Sequence, residues 1–129
     1  MKKNGILNRE LAAAFAKLGH TDQITIADCG LPIPDGVRCI DLSYIIGKPS
    51  FIEILEAVLD DLEVEYAFIA SEMVSANTEI FNKVHQKISQ IAELSHEDFK
   101  QLTRRSKVII RTGEATPYAN IILQSGVLF

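Results

Sequence analysis

The chain has no tryptophan, only two cysteines, and no uninterrupted apolar run near the ~20 residues that a membrane span requires. Cys29 and Cys39 lack the spacing of a four-ligand zinc site and are too few for a disulfide framework. We read them as buried or half-buried thiols in a reducing, cytoplasmic setting. The three histidines, His20, His85 and His96, are scattered and form no ligand cluster, so no metal is expected. There is no Gly-rich phosphate loop of Walker or dinucleotide type, no His-Glu-x-x-His and no Gly-x-Ser-x-Gly, so no cofactor is expected either. A net charge of -4, with no basic run, argues against nucleic acid as a partner. Lys2-Lys3 imitates the start of an export signal, but Asn8-Arg9-Glu10 interrupts the apolar segment a signal needs. Cofactor-free acid–base chemistry or plain binding is what these absences leave.

What is present reads as one globular domain spanning 1–129, with 47% hydrophobic and 23% charged residues and no repeat or linker. Asn8 caps a first helix with Leu7, Leu11, Phe15 and Leu18 on one face, and Gly19 fits the left-handed position that closes it. Ile24–Ala27 is a short β-branched strand ending at Asp28, followed by a Gly/Pro loop from Cys29 to Gly36. Ser50-x-x-Glu53 is a capping box opening a helix with the stripe Phe51, Leu55, Val58, Leu62. Glu65–Ala70 reads as a buried strand. Ile80, Phe81, Val84 and Ile88 mark another helix, and 90–94 fits either its tail or a short strand, of which we take the strand. Ser95 caps a helix carrying Phe99 and Leu102, and Lys107–Arg111 and Asn120–Gln124 are the last strands. Alternating strands and helices predict an α/β fold with a mainly parallel sheet.

Two stretches stand out from this scaffold: Leu18–Asp22 running on to Gly36, and Arg111–Asn120. Each combines Gly and Pro with side chains that move protons or grip hydroxyls, at the end of an apolar run, where open α/β sheets bind ligands. His20 either bonds the last free carbonyls of the first helix or exchanges protons with Asp22 and Asp28 near by in sequence. Asp28 is either a turn former or a ligand contact at a strand's carboxyl end. Asp35, in Pro-Asp-Gly, reads as a turn residue and His85 as a surface one. His96 follows a helix cap. Tyr118 and Asn120 flank Ala119, and in an extended segment both point to the same side, which suits a polyhydroxy ligand. The apolar ending Ile121–Phe129 predicts burial against the body or a neighbouring copy.

Taken in order, Lys3–Asn8, Leu18-Gly-His-Thr-Asp22, Ile26-Ala-Asp28, Gly30-Leu-Pro32, Pro34-Asp-Gly36, Leu94-Ser-His-Glu97, Phe99-Lys100, Arg111-Thr-Gly-Glu114, Thr116-Pro-Tyr-Ala-Asn120 and Gly126–Phe129 resemble the ribose pyranase / fucose mutarotase family from end to end. The resemblance implies a three-layer α/β/α sandwich on a mixed, mainly parallel sheet. It also implies a ring-like homo-oligomer, a homodecamer, with sites at subunit contacts. By the same resemblance His20 is the proton donor, and Asp28, His96, Tyr118, Ala119 and Asn120 contact the sugar, with Lys100 near the site. The implied reaction interconverts β-ribopyranose and β-ribofuranose through the open-chain aldehyde, supplying the ring form that ribokinase uses. L-Fucose anomer exchange, or sugar binding without catalysis in a transport system, are the alternatives. Cys29 departs from the small residue that such proteins usually carry. Helix dipoles predict a division of labour: His20 beyond a helix C-terminus as the charged donor, His96 in a first turn as the neutral ring.

Overall fold

A computed structural model describes all residues, Met1–Phe129. Six strands form one sheet in the order β2-β5-β1-β6-β3-β4. They are β1 (Gln23–Ala27), β2 (Cys39–Asp41), β3 (Val64–Ala70), β4 (Ile91–Leu94), β5 (Val108–Arg111) and β6 (Ile121–Ser125). β1, β2 and β5 pair in parallel, as do β3 and β4, while β6 runs antiparallel to both β1 and β3. The expected mixed, mainly parallel sheet is therefore present, with β6 alone reversed.

The helices are α1 (Arg9–Phe15), α2 (Phe51–Asp61), α3 (Glu72–Ala76), α4 (Thr78–Lys87) and α5 (His96–Leu102). Three begin as their sequences dictate. The Asn8 side chain accepts from the Glu10 and Leu11 amides, Ser50 and Glu53 form a reciprocal capping box, and Ser95 accepts from the Asp98 amide. Strand alternation then divides the core between the two sheet faces. Ile24, Ile26, Ile110, Ile121 and Leu123 join α1, α2 and α4 in a cluster of 20 buried residues. Ala27, Ile109 and Ile122 face the other way, toward Phe99 of α5 and Leu31, in a cluster of 6. None of the helices is long and apolar enough to cross a membrane.

Several local expectations are corrected. Gly19 does not close α1, which ends in tight turns from Lys17 to Ala14 and Leu18 to Phe15; the left-handed residue is Thr21 (φ 69°). Leu7 lies outside the helix and is exposed. β2 and α3 are too short, at 3 and 5 residues, to leave a readable period. Cys39 is exposed rather than buried, because it points outward from edge strand β2. The apolar ending divides in two: Ile121–Leu123 are buried in the sheet, but Val127 is only partly covered, and Leu128 and Phe129 find almost no cover on their own chain.

The two-face core generates a test. Phe99→Ala removes the one fully buried aromatic ring of the smaller cluster and should cost about 3–5 kcal/mol in urea denaturation. Leu7→Ala should change stability by less than about 0.5 kcal/mol, as befits an exposed side chain.

Candidate functional site

Because β6 runs against its neighbours, the loop leading into it crosses the carboxyl ends of β1 and β5. There Asn120, fully buried, meets Asp28. Its Oδ1 accepts from the Asp28 main-chain N–H at 2.8 Å, and its Nδ2 donates to Asp28 Oδ2 at 2.8 Å. Asp28 Oδ1 accepts from the Gly30 N–H at 2.9 Å. Both carboxylate oxygens are thus aimed by fixed donors, yet an ionised carboxylate has about four acceptor sites, leaving room for ligand hydroxyls.

Surrounding contacts lace the loops after β1 and β5 together. Thr112 donates to Ala27 O through both its N–H and its hydroxyl, and the Cys29 N–H donates to Glu114 O. The Arg111 guanidinium donates twice to Cys29 O and once each to Asp41 and Ser43, joining three loops. Glu114, nearly buried, accepts from the Phe51 N–H at the start of α2 and from the Thr116 hydroxyl. Asn77, between α3 and α4, donates to Thr116 and to Pro117 O. Arg111 and Glu114 lie in the stretch that stands out in the sequence, but nothing there assigns either a role, because charge between a β-branched strand and a Gly/Pro loop is a pattern that surface turns share. Asn77, at the junction of α3 and α4, carries no such signal.

The expected same-side pairing of Tyr118 and Asn120 does not occur. Tyr118 takes a left-handed backbone (φ 56°) and the strand starts only at Ile121, so the segment is not extended. Asn120 turns to Asp28, while the Tyr118 ring meets His96 edge-on, with centroids 5.0 Å apart. Ala119 is wholly buried. His96 opens α5, its main-chain N–H donating to Glu72 Oε1 at 3.2 Å. Lys100, one turn further on, pairs with Glu97 at 2.6 Å and lines a groove of about 220 Å³ beside Pro32–Pro34. A second cavity, of about 280 Å³, lies between Cys29, Arg111 and Gly113 and the exposed apolar tip Tyr44–Ile46.

His20 is not with them. It precedes β1, at the opposite end of the sheet, separated from Asp28 by the ~16 Å length of a five-residue strand. Its expected aspartate neighbours are engaged elsewhere. Asp22 Oδ2 accepts from the Gly19 N–H, and Asp28 sits at the far end. His20 Nε2 instead lies 2.9 Å from Glu65 Oε2, and Gln124 donates to Glu65 Oε1 at 2.8 Å. These bonds, Gln124's first, hold the Glu65 carboxyl below the usual carboxylate range. The polar groups at the two ends of the sheet are therefore far apart on one chain, with exposed Val127–Phe129 following β6 out at the His20 end.

The RbsD / FucU transport protein family model matches residues 1–128. A D-ribose pyranase of Bacillus cereus (strain G9842) is 56% identical over 131 residues, covering all of both chains. One from Exiguobacterium sp. is 57% identical over 129 residues, again at full coverage. The structure of Bacillus subtilis RbsD complexed with D-ribose superposes with a TM-score of 0.98 at 51% identity over the whole of both chains. A fucose mutarotase from Streptococcus pneumoniae in complex with L-fucose shares the fold, with a TM-score of 0.81 at 23% identity over 95% of each chain.

Replacing Asn120 with Ala strips the Asp28 N–H of its acceptor and releases Asp28 Oδ2, leaving only Oδ1 held by Gly30. The variant should lose about 1–3 kcal/mol of stability in chemical denaturation, the cost of an unsatisfied buried donor.

Proposed function

On the premise that this chain belongs to the RbsD / FucU family, we propose that it is a D-ribose pyranase, a cofactor-free isomerase interconverting β-D-ribopyranose and β-D-ribofuranose. The observation that carries ribose over fucose is the similarity gradient. Identity is 51% to the ribose-bound relative across the full length, and 23% to the fucose-bound one.

The chemistry suits the residues. Ring opening needs a proton delivered to the ring oxygen and one removed from the anomeric hydroxyl; closure reverses this with a different hydroxyl attacking. His20 is the donor, with Glu65 supporting the charge it carries when protonated. Asp28, held by Asn120 and Gly30, accepts from sugar hydroxyls. His96 and Tyr118 present a ring nitrogen and an aromatic hydroxyl, and Ala119 and Asn120 shape the backbone behind them. Asn120 then acts largely through Asp28, and Lys100 stands at the margin, its ammonium committed to Glu97.

Because His20 is a strand length from Asp28, a site using both is built from two copies. The exposed Tyr44–Ile46 tip flanks the Asp28 end and exposed Val127–Phe129 the His20 end. Such a head-to-tail contact is heterologous, and closes into a ring when its rotation permits. The ring-shaped homo-oligomer that the family resemblance implies, a homodecamer, is one assembly with such contacts. We place the enzyme in the cytoplasm, upstream of a kinase that takes one ring form.

Saturation-transfer NMR tests the reading. Irradiating one ribose ring form should transfer magnetisation to the other in the presence of protein, with no comparable effect on fucose. His20→Ala should lower exchange by roughly 10²–10⁴-fold while ribose still binds; His96→Ala should weaken binding as well. Binding of ribose without exchange by the unaltered protein would indicate a transport-associated binding module instead.

A further inference from the structure

Two neighbouring side chains each keep a polar atom sealed from solvent and without a partner: Oε2 of Glu72 and Nδ1 of His96. Native proteins leave few buried polar groups unpaired, and each exception calls for a physical explanation. Here the two orphans sit on residues that already touch. Glu72 Oε1 accepts the His96 main-chain N–H, one of the donors that the first turn of α5 leaves free. The imidazole is packed on its other sides, stacked on Phe99 at 6.5 Å and meeting Tyr118 edge-on at 5.0 Å. Glu72's last torsion is soft, so its free oxygen can reorient while the residue keeps its grip on the His96 main chain. Hydrogen bonds from its own main-chain N–H and from that of His96 hold the Glu72 carboxyl below the usual carboxylate range, which keeps it an acceptor.

We propose that Glu72 is a positioning residue: its carboxylate clamps His96 by main-chain N–H and ring Nδ1–H together, fixing the tautomer whose Nε2 carries the lone pair. This rests on the reading of His96 as a sugar-contacting group. A neutral imidazole has one donor nitrogen and one acceptor, and the partner of the first decides the second. An ionised carboxylate only accepts, so Nδ1 beside it bears the proton. Nε2 is then left to accept a sugar hydroxyl's hydrogen bond or to take its proton. Carboxylates orient histidines by the same logic at metal centres and in hydrolase triads. The sequence hid this partner, because Glu72 and His96 are 24 positions apart and meet only where the turn after β3 crosses the start of α5.

The test is ¹⁵N NMR of His96 in the sugar-free protein at about pH 8, where an ordinary imidazole is neutral. The unaltered protein should show the Nδ1–H tautomer. Glu72→Gln keeps an amide oxygen for the His96 main-chain N–H but turns an NH₂ donor toward Nδ1, so the tautomer should flip to Nε2–H. Ribose exchange should fall in that variant by roughly ten-fold or more. An Nε2–H tautomer in the unaltered protein, an unchanged tautomer in the variant, or a flipped tautomer with undiminished exchange each overturns the proposal. Because the tautomer is read without sugar, failure of the ribose reading appears separately, as absent exchange in an unaltered protein with the expected tautomer.

Discussion

The reversed direction of β6 is the constraint on which the rest of the structure depends. Ile121–Leu123 are sealed between β1 and β3, so this strand cannot shift without exposing the centre of the sheet. A one-residue slip would turn every side chain to the wrong face. Its fixed register delivers Asn120 to Asp28 at one end and Gln124 to Glu65, and so to His20, at the other. One strand therefore anchors the polar groups at both ends of the sheet. The loop before it is pinned by Glu114 to the start of α2, and by Asn77 to the junction of α3 and α4.

This arrangement separates what holds the fold from what lines the crevice at the carboxyl ends of the strands. The strands and helix faces are filled with aliphatic and aromatic side chains, while the polar residues of the carboxyl-end crevice bond mainly to one another and to loop backbone. Gly113 shows how tight the crevice is: a Cβ there would lie 2.3 Å from Lys48 O, so the loop bearing Tyr44–Ile46 packs directly on bare backbone. The apolar tip of that loop stays exposed beside Cys29 and Arg111.

Much of this was legible in the sequence, because the signals were local. Asn8, Ser50 and Ser95 cap helices through bonds spanning two or three residues, and the β-branched runs became strands within a residue or two of their expected limits. The site was legible as motifs but not as geometry. Nothing near Tyr118 announces its left-handed backbone, and an extended reading placed its ring beside Asn120 instead of against His96. Sequence spacing sets His20 beside Asp22 and Asp28, yet a straight strand carries Asp28 away and brings in Glu65, 45 positions distant. The partners of buried polar groups are set by topology, and they were the part that sequence spacing could not supply.

The central claim is that two copies complete one site, one bringing His20 and the other Asp28. Mixed oligomers of the His20→Ala and Asp28→Asn chains, formed by co-expression and purified through distinct tags, test it directly. Each variant alone should fail to exchange ribose ring forms. Random mixing across a head-to-tail contact restores both residues at about a quarter of the sites, so the mixed oligomer should recover about that share of native exchange. Mixed oligomers as inactive as their parents would contradict the account, placing both residues' contributions within a single chain.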